Sequence, residues 1–177
     1  KKNNLEIFDV HQIKTHGGSL RVFAKKKGSS KFKIKKGFQK IKKLEKKYKL
    51  NSLKTYKNFQ KKAEKNKNDL LNFLIECKKK NLKVAAYGAA AKGNTLLNYA
   101  GVKKDLIAYV CDSAPSKQNK FLPGTRIPIY NPNYLYKNRP DYLLILPWNI
   151  ADEIKNQLSQ LRKKTKFFVA IPRIKFI

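Results

Sequence analysis

The residues best suited to chemistry lie in one stretch, LKVAAYGAAAKGNTLL at positions 82–97. An apolar run, Leu82 to Ala86, meets a small-residue turn, Tyr87-Gly88-Ala89-Ala90-Ala91, which opens into a segment carrying Lys92, Gly93, Asn94 and Thr95. Small side chains at a strand-to-helix turn let a ligand touch the backbone, and a helix start offers unpaired N–H groups to an anion. Lys92 adds a mobile positive charge at the same mouth. The ligand such a mouth suits best is a nucleotide or sugar-nucleotide phosphate. The turn is not G-x-G-x-x-G, because Ala89 and Ala90 stand where the dinucleotide fingerprint wants glycine, and it is not G-x-x-x-x-G-K-[ST]. A tight turn whose small residues only pack helix on sheet therefore stays open beside phosphate binding.

The elements that must hold this turn follow from the hydrophobic periods. From Leu82 on, the pattern alternates strand and helix: strand Leu82–Tyr87, helix Ala90–Ala100 closed by Gly101, strand Leu106–Cys111, strand Ile127–Tyr130, strand Asp141–Leu146, helix Ile150–Lys164 and strand Lys166–Ile171. Near-continuous apolar strands between amphipathic helices predict a parallel sheet covered on both faces. The fold class is α/β, a Rossmann-like domain of about five strands over residues 82–177. Ligands of such sheets sit at the carboxyl ends of the strands. Gly88–Lys92, Asp112 and Trp148-Asn149 all fall on that edge. Asp112 follows Gly88 at about the spacing that puts a carboxylate on a ribose hydroxyl, and a loop cap through Ser113 is the alternative. Trp148 could stack on a base or plug the core. Lys117 and Lys120 either reach a phosphate or are plain surface lysines.

Upstream, Leu5–Val10 and Ser19–Ala24 alternate with period two around the glycine-pair turn Lys14-Thr15-His16-Gly17-Gly18-Ser19. Two strands do not fold alone, so residues 1–25 read as the end of a sheet whose remainder precedes Lys1. Residues 26–81 read as a basic linker and helices, roughly Gly37 to Lys49 and Ser52 to Lys80. The second is either continuous or broken across the polar stretch Lys61–Asn68.

Composition bounds the rest. Hydrophobic residues make up 41% of the 177 and aromatics 11%, the composition of a globular chain. The net charge of +31 invites a nucleic-acid partner. It is carried by lysine, with only five arginines, whereas base and phosphate readout favours guanidinium forks. Residues 1–83 hold 27 basic against 6 acidic side chains, and residues 84–177 hold 15 against 5, so the excess sits on the helical linker. A solvated basic face is favoured over a nucleic-acid site. No apolar run is long enough to span a bilayer and KKNNLEIFDV lacks a signal-peptide core, so a cytoplasmic protein with no membrane partner is expected. Cys77 and Cys111 have no metal or redox spacing and read as apolar fillers.

Read together, YGAAAKGNTLLNYAG, DSAPSKQNKFLPGTRIPI and DYLLILPWNIADEI resemble the C-terminal domain of the S-adenosylmethionine-dependent C-methyltransferases that act on nucleotide-linked deoxysugars. THGGSLRVF at 15–23 is similar to the closing segment of that family's methyltransferase domain. The resemblance covers essentially the whole chain. It implies a three-part enzyme: an N-terminal zinc region, a central domain holding the methyl donor, and this Rossmann-like domain, which holds the nucleotide sugar and not NAD. On that footing Gly88, Ala89, Ala90, Lys92, Gly93 and Asn94 are the candidate pyrophosphate cradle. Asp112, Lys117, Trp148 and Asn149 are further candidates for the nucleotide or sugar, and His16 either orients substrate or is structural. The family's Tyr-x-Glu-His motif, donor loop and zinc cysteines are expected upstream of Lys1. Methyl transfer to a keto sugar needs a base that removes a proton beside the carbonyl. No such base, and no metal set, is evident in 1–177, so the chain alone is expected to be silent and to bind neither donor nor zinc. Two rival readings are a polyanion binder using the Lys25–Lys80 face and a fragment of an NAD(P)-dependent oxidoreductase.

Overall fold

The computed structural model describes residues 3–177 and divides into two compact units, Lys1–Gln60 and Lys61–Ile177. In the first unit, β1 (Leu5–Ile13) and β2 (Ser19–Lys26) form an antiparallel pair with a bulge between Ile7 and Asp9. Their turn places His16 at φ 55° ahead of two glycines at positive φ, a left-handed path that Gly17 and Gly18 make cheap. Helix α1 (Lys36–Lys47) follows, burying Ile41. Asp9, though charged, is buried, and its carboxylate accepts from Val10 N–H and pairs with His11 Nε2 at 2.9 Å. Helix α2 (Leu53–Lys79) begins in this unit and continues into the second. It is unbroken: Lys65 and Asp69 pair one turn apart at 2.9 Å across the polar middle.

The second unit is the doubly wound sheet. Its strands are β3 (Val84–Tyr87), β4 (Val110–Cys111), β5 (Lys120–Phe121), β6 (Pro128–Tyr130), β7 (Tyr142–Ile145), β8 (Lys166–Val169) and β9 (Lys175–Phe176), in the spatial order β5-β6-β4-β3-β7-β8-β9. Five of them, β6-β4-β3-β7-β8, are parallel neighbours; β5 and β9 add short antiparallel edges. The five-strand expectation thus becomes five parallel strands within a sheet of seven. Strand β3 pairs with β4 on one side and β7 on the other, so the chain order reverses at β3. In doubly wound sheets the ligand crevice lies beyond the carboxyl ends of the strands at such a reversal.

Two apolar layers close the sheet. On one face α2 sets Leu70, Leu74 and Cys77 against Val84, Ala86, Leu144 and Phe168, and α3 (Ala91–Tyr99) adds Leu97. On the other, α4 (Tyr134–Lys137) and α5 (Ala151–Gln157) bring Leu135 and Ile154 onto Ala85, Leu143, Ile145 and Phe167. The helix expected over Ile150–Lys164 is α only to Gln157. Ser159–Lys163 then winds as a tighter 3-10 turn that still buries Leu161.

Helix α2 offers a direct check. Truncating the fully buried Leu74 to Ala is expected to cost about 2–5 kcal/mol. Phe59→Ala on the same helix, where the ring is 69% exposed, is expected to stay within about 0.5 kcal/mol. Urea denaturation followed by circular dichroism compares the two; equal losses would contradict the burial assigned to them.

Candidate functional site

The turn after β3 stands at the reversal of strand order, and its first glycine is required there. Gly88 has φ +91°, and a Cβ on it would run into the Pro147 ring, so only glycine lets the turn close against the loop after β7. Gly93, five residues on, is a packing glycine: a Cβ there would lie 2.6 Å from Leu146 Cβ. The spacing Gly88-x-Ala90-x-x-Gly93 therefore keeps the tight-turn and close-packing glycines of a dinucleotide turn while placing a methyl group at the middle position, where backbone meets pyrophosphate. That signal stood in the sequence at a spacing that comparison of adjacent residues overlooks.

The amides of the turn are divided. Gly88 N–H donates to Cys111 C=O at 2.7 Å, and Ala90 N–H to Gly88 C=O at 2.9 Å. Ala89 N–H donates to Asp112 Oδ2 at 2.6 Å. These three are taken up by the protein. Helix α3 then starts at Ala91 with no side-chain cap, and its first internal bond is Asn94 N–H to Ala90 C=O at 2.9 Å. The N–H groups of Ala91, Lys92 and Gly93 therefore have no acceptor within their own helix and carry its positive end. These free helix donors lie one step further along the chain than a cradle centred on Gly88–Ala90 would place them. Asn94 itself turns along the helix, its Oδ1 accepting from Asn98 Nδ2 at 3.2 Å, and Asn98 ties in turn to Pro123 C=O.

Asp112 is the hub of the adjoining loop. It is buried, and beyond Ala89 its Oδ1 accepts Ala114 N–H at 2.8 Å while its Oδ2 accepts Lys117 Nζ at 3.3 Å. The Ala114 bond is an Asx turn at a Ser-Ala-Pro stretch, the local capping role foreseen as one reading of Asp112, made through Ala114 and not Ser113. Gln118 Nε2 closes the loop on Asp112 C=O at 2.9 Å.

On the far side of the crevice, Lys92 reaches across to the loop after β7. Its Nζ donates to Asn149 Oδ1 and stands 4.7 Å from the centre of the Trp148 ring. Trp148 packs partly against the core, one of its two readings, and presents its ring to the Lys92 ammonium. Lys92 and Asn149, 57 positions apart in the chain, thus meet beside Trp148 at the start of α3. Two ammonium groups, one carboxylate and a helix N-terminus give this edge a net positive character.

The carboxyl edge is assembled from residues of the second unit alone; His16 belongs to the first, exposed in its turn. Lys120 donates to Ser116 C=O at 2.7 Å, which leaves it bracing the loop. Pro147, Ala91, Ala114 and Gln118 are site residues that residue type alone did not single out; the first two act through ring shape and a backbone amide. Burial pushes the Cys111 thiol up to about 12, so it offers no thiolate nucleophile near neutral pH. Burial, then the Asp112 charge, raises the Tyr87 hydroxyl as well, keeping it protonated beside Ser113. Among the described residues no three His, Cys, Asp or Glu side chains gather into a metal site.

Asp112→Ala strands the Ala89 and Ala114 amides and is expected to lower stability by about 1–3 kcal/mol. Asp112→Asn, which keeps a side-chain oxygen, is expected to lose less. The urea midpoints of the two variants read this directly, and an Ala variant as stable as the parent would contradict the hub.

Comparison with known proteins bears on this arrangement. The model of one family, the C-methyltransferase C-terminal domain, matches residues 14–172. The C-methyltransferase NovU of Streptomyces niveus is 32% identical over 178 residues, an alignment that takes in 100% of this chain and 42% of that protein. The chain therefore spans less than half the length of this curated relative. Among solved structures, UDP-D-quinovosamine 4-dehydrogenase from Vibrio fischeri is similar at 20% identity and a TM-score of 0.41, over 54% of this chain and 93% of that one. A likeness of that size carries no argument about function. The family match covers nearly the whole chain, including both sides of the crevice, and on it the chain belongs to the C-methyltransferase C-terminal domain family.

Proposed function

We propose that this chain is the substrate-binding portion of an S-adenosylmethionine-dependent C-methyltransferase, and that its crevice holds the diphosphate of a nucleotide-linked keto-deoxysugar of the dTDP type. The observation that carries the reading is Lys92, held by Asn149 and Trp148 and set in the same first turn of α3 whose Ala91, Lys92 and Gly93 amides lack a helix acceptor. A diphosphate entering there meets an ammonium already at the mouth, together with donors that need no rearrangement. Lys117 stands on the opposite wall, shared with Asp112, as a second cation for the nucleotide side. Asp112 spends its carboxylate on holding the loop, which makes it a positioning residue.

On this reading the chain itself carries neither the methyl donor nor zinc. Both are assigned to the part of the enzyme outside 1–177, along with the base that removes the proton beside the sugar carbonyl. The chain's own share of the work is to bind the nucleotide end and fix where the sugar projects, and alone it transfers no methyl group. His16 is retained as a substrate-side candidate of the whole enzyme. The reading places the protein in the cytoplasm with its nucleotide-linked substrate; among the described residues no helix is long and apolar enough to cross a membrane.

Calorimetry with dTDP and a dTDP-hexose tests it. Lys92→Glu replaces the bridging cation by a repelling charge and is expected to weaken binding at least about tenfold, or about 1.4 kcal/mol. Equal affinities for parent and variant would overturn the assignment of the cradle.

A further inference from the structure

A strongly charged surface of the first unit lies outside anything the nucleotide site uses. Residues 36–60 carry nine lysines against a single glutamate, Glu45, and no arginine. Helix α1 turns Ile41 inward and leaves Lys40, Lys42, Lys43, Lys46 and Lys47 exposed. The turn that follows is well braced: Ser52 N–H and Thr55 Oγ1 both donate to Lys49 C=O, at 2.9 Å each, and the Tyr56 hydroxyl donates to Leu50 C=O. Around it five large apolar side chains, Tyr48, Leu50, Leu53, Tyr56 and Phe59, are each between 43% and 69% exposed. Leu53, Tyr56 and Phe59 recur every three residues and so share one face of α2. Lys54 and Lys57 flank that face. Between α1 and the start of α2 lies an open groove of about 570 Å³, lined by Lys42, Glu45, Lys46, Leu50, Asn51 and Tyr56.

Isolated exposed apolar residues are ordinary, but five within twelve positions, set among lysines, form a patch of two complementary chemistries. We propose that this surface, α1 with the first two turns of α2, docks on an anionic phospholipid bilayer as a peripheral contact. Complementary charge argues for the occupant: clustered lysines are drawn to acidic headgroups at roughly one kcal/mol each. The side-chain types argue for a bilayer over a nucleic acid. Tyr48, Tyr56 and Phe59 suit a headgroup layer as well as a base, but Leu50 and Leu53 gain only by entering the acyl boundary, and the absence of arginine from residues 36–60 removes the phosphate fork and the guanine reader. A chain without a spanning segment can still lie against a membrane in this way. The consequence is an enzyme portion held at a negatively charged leaflet, with its nucleotide site on the other compact unit.

Vesicle co-sedimentation of the full 177-residue chain tests this, with phosphatidylcholine alone and with 30% phosphatidylglycerol added. Binding is expected only to the anionic vesicles. Because total charge alone draws the chain to them, two variants of equal charge are compared. Changing Lys42, Lys46, Lys54 and Lys57 to Gln is expected to weaken binding roughly a hundredfold or more. Changing the exposed Lys103, Lys104, Lys163 and Lys164 to Gln is expected to weaken it at most a few fold. Leu53→Ser with Phe59→Ser is expected to abolish the binding that survives at 0.5 M salt, where charge is screened. Circular dichroism establishes that each variant is folded. Equal losses in the two lysine variants, no preference for anionic vesicles, salt-resistant binding untouched by the double serine variant, or displacement from vesicles by equimolar single-stranded RNA would each overturn the proposal.

Discussion

One carboxylate holds the two loops of the crevice in register. Asp112, at the end of β4, takes the Ala89 amide from the turn after β3 on Oδ2 and the Ala114 amide from its own loop on Oδ1, and it draws Lys117 onto Oδ2 beside Ala89. A buried charge is costly unless several donors meet it, and here three do. The bond to Ala89 settles which backbone groups are left for a ligand. With the amides of Gly88, Ala89 and Ala90 all engaged, the positive end of α3 falls to Ala91, Lys92 and Gly93. The proposed nucleotide end depends on that division.

The opposite wall of the crevice is positioned by shape. Pro147 fills the space that a side chain on Gly88 would need, and Leu146 does the same at Gly93, so the loop after β7 and the start of α3 lie as close as backbone allows. Lys92 can therefore reach Asn149 and the Trp148 ring without leaving the helix N-terminus. A cation held in this way loses little rotamer freedom when an anion arrives, which is the physical content of a preformed site. The chain belongs to the C-methyltransferase C-terminal domain family, and the substrate-binding role proposed for it asks these side chains to hold an anion, which needs position more than reactivity.

Much of this was legible in the residues. The alternation after Leu82 gave the parallel sheet and its carboxyl edge, because buried strands and amphipathic helices carry opposite periods. The small turn at 87–91 and the lone Trp148 marked the two sides of the crevice. Strands of two residues, Lys120–Phe121 and Lys175–Phe176, are too short to show a period and were invisible. The continuity of α2 was open because Lys61–Asn68 has no apolar face to read; good helix formers and the Lys65–Asp69 pair carry the helix through. Leu158 and Leu161 fit an α or a 3-10 path equally, so the end of α5 was fixed by packing. Least legible were the amide of Ala89 and the ring of Pro147, since a backbone donor and a contact across the fold leave no mark on residue type.

The most direct measurement of the central claim is an amide map of the ¹⁵N-labelled chain titrated with dTDP. If the account is right, the largest shifts fall on the backbone amides of Ala91, Lys92 and Gly93 and on the Trp148 indole. Ala89 and Ala114, already bonded to Asp112, shift little. Shifts confined to the lysine-rich helices, with those three amides and the indole unmoved, would contradict it.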